Sequence, residues 1–183
     1  MSIKGNMVTL RAIEIEDLEF IHQWANDSDI WDMLGGWHFP YSKGSSENWI
    51  KNINNNDKKN QYFAIEIKNK KIIGTINIVN IDWKNRSATY GIMLGDIQSQ
   101  GKGYAKDAML TILTFLFEEL GLIRIESDIL DTNIRSLKFH KNNGWVVEGE
   151  KKFADYRRGV WHSKTLIAFT IDEYSKFLKV EKK

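Results

Sequence analysis

Between a β-patterned run, Ser87-Ala-Thr-Tyr-Gly-Ile-Met-Leu94, and an apolar helical stretch from Tyr104 to Leu120 lies Gln98-Ser-Gln-Gly-Lys-Gly103-Tyr-Ala105. Two glycines one residue apart at the start of a helix constrain this chain more than any other feature. Lacking a Cβ, glycine lets successive backbone N–H groups turn toward one point. The first turn of the helix adds N–H groups with no intrahelical partner and the positive end of the helix dipole. Such a corner favours an anion, and a pyrophosphate fits it. The same glycine pattern also serves as plain turn chemistry. Two nucleotide-binding motifs are excluded. No Gly-x-x-x-x-Gly-Lys-Ser/Thr occurs, and the third glycine of the dinucleotide fingerprint is missing from a segment that lies mid-chain behind an antiparallel hairpin.

The flanking pattern gives the fold class. Ala105, Ala108, Met109, Ile112, Phe115 and Leu116 mark one face of the helix after the glycines, Leu113 and Phe117 widen it, and Gly121 ends it. Upstream, Val8–Arg11 reads as a strand and Glu14–Ala25 as a helix with Ile15, Leu18, Ile21 and Trp24 at helical spacing. The stretch Asn26–Gly44 around Pro40 is expected to be irregular, Ser45 or Ser46 to begin a second helix to Ile53, and Asn54–Asn60 to be a polar loop. Tyr62–Ile67 and Ile72–Val79 form a hairpin about Lys68–Lys71, followed by the strand Ser87–Leu94. Downstream come a strand over Leu122–Leu130, a helix capped by Thr132 or Asn133 and running to about Lys141, a strand at Gly144–Val147 and a last strand at Thr165–Thr170. The order predicts an α/β fold, a mixed sheet with one parallel crossover.

With 183 residues, the chain is expected to form a single domain over 1–183 with its core at 8–170. A formal net charge of +2 provides no broad cationic field, so no nucleic-acid partner is expected. The absence of cysteine removes disulfides, thiolate metal sites and a Cys nucleophile, and no metal is expected. No window approaches the roughly 20 consecutive apolar residues of a membrane span, and the N-terminus lacks a secretory apolar stretch. A cytoplasmic protein without a membrane partner is the expectation. The basic tail Lys176–Lys183 reads as a frayed, solvated terminus.

The pattern Gln98-x-x-Gly101-x-Gly103 resembles the coenzyme A pyrophosphate loop of the GNAT acetyltransferase superfamily. Thr9-Leu-Arg11, Gly74-Thr-Ile76, Asn85-Arg-Ser-Ala88, Gly91-Ile-Met-Leu94, Arg124-Ile-Glu126, Asp131-Thr-Asn133-Ile-Arg-Ser136 and Gly144-Trp-Val-Val-Glu-Gly149 follow in that family's order. The resemblance covers about residues 8 to 170 and is greatest to the branch of the ribosomal-protein N-terminal, spermidine and amino-sugar acetyltransferases. It implies the GNAT fold, a mostly antiparallel twisted sheet of about seven strands flanked by about four helices, with the parallel β-α-β crossover at the coenzyme site.

It also implies acetyl-CoA as co-substrate and direct transfer of its acetyl group to a primary amine. Backbone groups of Met93, Leu94 and Gly95 would hold the pantetheine arm and Gln98 would open the loop. The amides of Gly101, Lys102, Gly103, Tyr104 and Ala105 would cradle the pyrophosphate, and Asn133 would contact the arm or simply cap its helix. Where relatives carry a tyrosine acid, seven residues after the asparagine, this chain has His140. Where relatives often carry a glutamate base it has Thr89, and Glu126 and Asp128 are alternatives that an ion pair with Arg124 or Arg135 would explain equally well. The acceptor is expected to approach Trp31, Asp32, Trp37 and Phe39, with Trp161 and His162 at its edge. Three readings stay open: a small-molecule acceptor such as an amino sugar or polyamine, a protein N-terminus, and a coenzyme-binding module without catalysis. A homodimer is the assembly allowed for.

Overall fold

The structure is a computed structural model that describes residues 2–34, 39–53 and 57–181. Its elements are β1 (Ile3–Lys4), β2 (Thr9–Ala12), α1 (Leu18–Ala25), α2 (Ser28–Met33), α3 (Lys43–Ile53), β3 (Gln61–Ile67), β4 (Lys71–Asp82), β5 (Ser87–Leu94), α4 (Tyr104–Thr114), β6 (Arg124–Leu130), α5 (Ile134–Asn142), β7 (Val146–Arg157), β8 (Val160–Thr170) and α6 (Ile171–Glu181). The eight strands form one sheet in the order β1-β2-β3-β4-β5-β6-β8-β7. Among the described residues β5 and β6 are the parallel neighbours, joined by α4, and the other pairs are antiparallel. This is the expected mixed sheet with one parallel crossover, one strand and two helices richer.

Strand alternation sorts the apolar residues to two faces. Ile65, Ile73, Ile76, Ile78, Tyr90, Ile125 and Phe169 pack under Ala108, Met109, Ile112 and Leu116 of α4. Ala64 and Ile72 face the other way, under Ile13, Ile21, Trp24 and Ile50 of the α1–α3 layer. Helix α4 closes in a wide turn over Phe115–Glu119, where Leu120 N–H reaches back to Phe115 O, and Gly121 follows at φ +66°.

Two expectations are corrected. Asn26–Gly44 is not irregular throughout: the Asp27 carboxylate accepts from Asp29 N–H and Ile30 N–H and so caps the short helix α2. The tail through Glu181 is not frayed. It is helical, with Tyr174 buried and its hydroxyl donating to Glu118 Oε1 at 2.6 Å, and with Phe177 packed at 6.5 Å from Phe169.

The entry to the α1 layer is locked by one guanidinium. Arg11 on β2 donates to both oxygens of buried Asp17 (2.8 and 2.9 Å) and to Glu66 on β3 (2.6 Å). Burial works against the Asp17 charge, but the Arg11 and Glu14 hydrogen bonds outweigh it and hold the carboxyl below the ordinary range. Arg11→Met leaves that carboxylate stranded. Unfolding in urea is expected to show a loss of about 3 kcal/mol, the lower end for opening a buried pair, since Arg11 keeps an edge toward water. Because the folded pKa is depressed, Asp17's contribution is present above its unfolded value of about 3.9 and is lost as pH falls through the folded value.

Candidate active site

Strands β5 and β6 pair only at Ser87–Arg124, Ala88–Ile125 and Thr89–Glu126. Beyond Thr89 they part, although β5 runs on to Leu94 and β6 to Leu130. The β6-facing edge of Tyr90–Leu94 is therefore without a partner strand at a break through the middle of the sheet. A main-chain edge of that kind is ready to bind an extended ligand by backbone hydrogen bonds.

On the α4–α5 side a cleft of about 610 Å³ runs along this edge, lined by Ile92, Met93, Leu94, Gly95, Gly101, Gly103, Ala105, Asn133, Ser136 and His140 among others. Its far end is the glycine loop. Asp96 anchors the approach through Lys71 (2.6 Å) and the Ser99 hydroxyl (2.6 Å). Gly101 and Gly103 lie at φ +74° and +86°, in the left-handed region, and Gly103 is the N-terminal cap of α4. Among the described residues, none of the N–H groups from Gly101 to Ala105 donates to another group of the chain, while Asp107 N–H already closes onto Gly103 O. These free amides at the positive end of a helix fit the diphosphate of a coenzyme. Gln98, Lys102 and Tyr104 lie in the same loop but outside the cleft lining, and Gln100 reaches in instead, donating to Leu94 O at 3.3 Å. Gly95 has a packing reason of its own: a Cβ there would sit 2.2 Å from the Trp24 ring.

A second cavity, also of about 610 Å³, lies on the α1–α3 side of the break. Thr75, Asn77, Thr89, Gly91 and Met93 form its floor, and Trp49, Tyr62, Asp128 and Lys164 its sides. The two cavities share Met33, Leu34, Ile92, Met93, Asn133, Ser136 and His140, so one wall belongs to both.

His140 is the titratable group of that wall. Its ring is buried among Tyr90, Phe139 and Trp145, with centroids 5.9, 5.0 and 5.1 Å away. Nδ1 lies 2.8 Å from Ser136 O; a carbonyl only accepts, so Nδ1 carries the proton and Nε2 a lone pair. Nε2 is buried with no hydrogen-bond partner, and so is the Tyr90 hydroxyl. Burial pushes the imidazole pKa down, against the Ser136 hydrogen bond, and pushes the Tyr90 phenol up. At neutral pH one acceptor, His140 Nε2, and one O–H donor, that of Tyr90, are thus left unmet on residues that line the second cavity. An orphaned buried polar group costs on the order of 1–3 kcal/mol, which a ligand can recover.

The other expected residues are placed as follows. Asn133 lines both cavities, but its Oδ1 accepts from Ser136 N–H (3.0 Å) and its Nδ2 donates to Met33 O (2.9 Å). Trp31 lines a smaller cavity beside the second one and donates to Ala25 O. Asp32 is turned away and paired with Arg158 at 2.9 Å, while Phe39 is exposed, and neither lines these cavities. Trp37 lies outside the described residues. Thr89 and Asp128 line the second cavity; Glu126 pairs with Arg124. Trp161 packs on Tyr156, and His162 pairs with Asp131 at 2.9 Å, away from both cavities. Sequence reasoning missed Tyr90, Asn77 and Lys164. Strand alternation alone would have put Tyr90 on the His140 side and Asn77 beside Thr75. Among the described residues there is no cluster of three His, Asp or Glu side chains suited to a metal, and no helix is long and apolar enough to cross a membrane.

A sheet broken at a parallel pair, with an anion-binding helix start at one end of the break and a cavity behind it, can hold an extended phosphate-bearing ligand along the break, with room for a second molecule on the other side. The comparisons agree. The family model of the acetyltransferase (GNAT) domain matches residues 7–146, and the chain belongs to that family. It is 28% identical over 171 residues to an uncharacterized N-acetyltransferase of the SPbeta prophage of Bacillus subtilis, YokL, covering 93% of each chain. It is 29% identical over 145 residues to the spermidine N(1)-acetyltransferase of Vibrio cholerae, covering 79% of this chain and 82% of that one. A crystal structure of the Vibrio cholerae spermidine N-acetyltransferase in complex with CoA and spermine matches with a TM-score of 0.83 at 26% identity, covering 93% of this chain and 99% of that one. The protein is an N-acetyltransferase of the acetyl-CoA-dependent kind.

Proposed function

We propose that the acceptor is a primary amine on a small molecule, that it enters the cavity above Thr75, Asn77 and Thr89, and that His140 Nε2 handles its proton. The observation that carries this reading is the common wall: one buried, unpartnered imidazole nitrogen stands between the coenzyme cleft and a second cavity of comparable size.

When bound, acetyl-CoA supplies an activated acetyl thioester, and no covalent enzyme intermediate is required. The amides of Gly101–Ala105 would hold its diphosphate, and a free N–H on the Ile92–Leu94 edge would stabilise the charge that develops on the thioester oxygen. Nε2 accepts the proton that the amine loses as the N–C bond forms, then returns it to the departing sulfur. A group that is neutral at rest takes a proton before it gives one, so His140 acts first as a base. The Tyr90 ring lies 5.9 Å from the imidazole, centroid to centroid, and its unpartnered hydroxyl is the donor that orients the acceptor or a water.

A small molecule is favoured over a protein N-terminus by α2. Its last turn and Leu34 are tied across the break, Met33 O to Asn133 and the Trp31 and Leu34 carbonyls to Arg157 on β7, and Met33 and Leu34 narrow the lining of the second cavity. Relatives named for spermidine make a polyamine one such small amine. The cysteine-free composition is in keeping with a cytoplasmic setting. Mixing the protein with acetyl-CoA and a panel of small primary amines is expected to release free thiol, read with a thiol-reactive dye. Binding of acetyl-CoA by calorimetry without release on any amine would instead identify a non-catalytic module.

A further inference from the structure

The acceptor cavity carries almost no net charge. Among the described residues its formally charged lining residues are Asp128 on β6 and Lys164 on β8, and they face each other at 3.3 Å. Lys164 is largely covered, its side chain 16% exposed, and its ammonium is held against Asp128, whose own side chain is 43% exposed. Besides the shared wall and Tyr90, the remaining polar lining is neutral: the hydroxyls of Thr75, Thr89, Ser127 and Tyr62 and the amide of Asn77. Register sets three of these in a row, Thr75 opposite Met93, Asn77 opposite Gly91 and Thr89 opposite Val79, all on one face of the sheet. A Cβ at Gly91 would lie 2.2 Å from Asn77 Oδ1, so the bare glycine lets this amide lie down over β5. Three other carboxylates near the break serve elsewhere: Asp32 binds Arg158, Glu126 binds Arg124, and Asp27 caps α2, while Asp29 lines the coenzyme cleft and not this cavity.

Resting on the acceptor assignment above, we infer that the substrate class is a hydroxyl-bearing monoamine, of the amino-sugar kind, and that Lys164 sets this choice by occupying Asp128 and so excluding a second cation. A polyamine brings several positive charges and needs several carboxylates to desolvate them. This cavity offers one, already taken. A polyhydroxylated skeleton needs the row of short donors and acceptors that β4 and β5 present. The proton chemistry points the same way. An alkylammonium titrates near 10.4, so at neutral pH only about one molecule in a few thousand is the free amine that can attack. Neighbouring hydroxyl and acetal oxygens withdraw electrons from an amine and raise that fraction.

The test measures kcat/KM by thiol release for D-glucosamine and 2-amino-1,3-propanediol against spermidine and 1,4-diaminobutane. For the native chain, at least one hydroxylated monoamine is expected to exceed both polyamines by about tenfold or more. In Lys164→Met the ratio of spermidine to the better monoamine is expected to rise about tenfold, because Asp128 is uncovered. Lys164→Arg should hold the native ratio, and Asp128→Asn combined with Lys164→Met should restore it. Lys164→Gln repeats the test should the methionine variant fail to fold, and an acetyl-CoA titration of each variant reports an intact cleft. A native preference for either polyamine, or an unmoved ratio in a folded Lys164→Met or Lys164→Gln, overturns the inference while leaving the transferase reading standing. No thiol release with any of the four amines in the native chain overturns both.

Discussion

His140→Gln is expected to lower kcat by about 10²–10⁴-fold while changing the KM for acetyl-CoA by far less. Positioned proton transfer is worth about that much in rate, and among the described residues His140 is the titratable side chain on the wall shared by the two cavities. Glutamine preserves much of the volume and can still donate to Ser136 O, so the coenzyme cleft keeps its shape, but it cannot take a proton. The pH profile separates a chemical role from packing. Burial depresses the imidazole pKa, so the neutral form that accepts a proton persists below the usual 6.5 or so, and kcat falls only as pH drops through that lower value. The glutamine variant should lack this acid limb. The depressed pKa has a matching effect on folding, because the unfolded chain binds the proton more readily. His140's contribution to stability is complete above about 6.5 and is lost as pH falls through the folded value. Native-like turnover in the variant would strip His140 of the proton and leave it a packing residue among three aromatic rings.

The parts of this molecule legible in advance are those in which a local pattern carries the information. The strand Ser87–Leu94 and the helix start at Tyr104 fall where alternation and the glycine pair place them, because turn chemistry and periodicity act over a few residues. Asn133 caps α5 through its own side chain, again a local event. Helix α2 was hidden for the converse reason. Six residues bury no side chain fully, so apolar periodicity is weak, and the signal that remains is the Asp27 cap. Helix α6 was masked by its lysines, although Tyr174, Phe177 and Leu178 sit at the spacing that docks it on the sheet. The second cavity was the least legible part. Its floor and sides come from β3, β4, β5, β6 and β8, and the meeting of Asp128 with Lys164 depends on which strand lies beside β6. No spacing along the chain encodes that neighbour. The same holds for Asp32, which in a list of nearby residues looks like an acceptor contact and in space is spent on Arg158.

Gly103→Glu is expected to weaken acetyl-CoA binding by at least about 100-fold, read by calorimetry, with little change in the thermal midpoint. Room is not the obstacle, since the nearest atom to a Cβ there is Met7 Sδ at 3.7 Å. Two other effects are. Gly103 sits at φ +86° as the cap of α4, and an L side chain held in the left-handed region costs about 1–2 kcal/mol, which relaxation of the loop relieves only by turning its amides away from the cleft. The new carboxylate then stands beside a diphosphate. At about 6 Å and an effective dielectric constant of roughly 40, each pair of like charges costs about 1.4 kcal/mol, so two phosphate charges add about 3 kcal/mol. The sum exceeds the 2.7 kcal/mol or so that a 100-fold loss requires. Gly103→Ala isolates the first effect and should lose only about 5- to 30-fold. Gly101 lies at φ +74° with nothing within 4 Å of a Cβ, so Gly101→Ala tests conformation with packing removed altogether. Affinity for acetyl-CoA unchanged in Gly103→Glu would mean that the amides from Gly101 to Ala105 do not meet the diphosphate, and the coenzyme would have to lie elsewhere in the cleft.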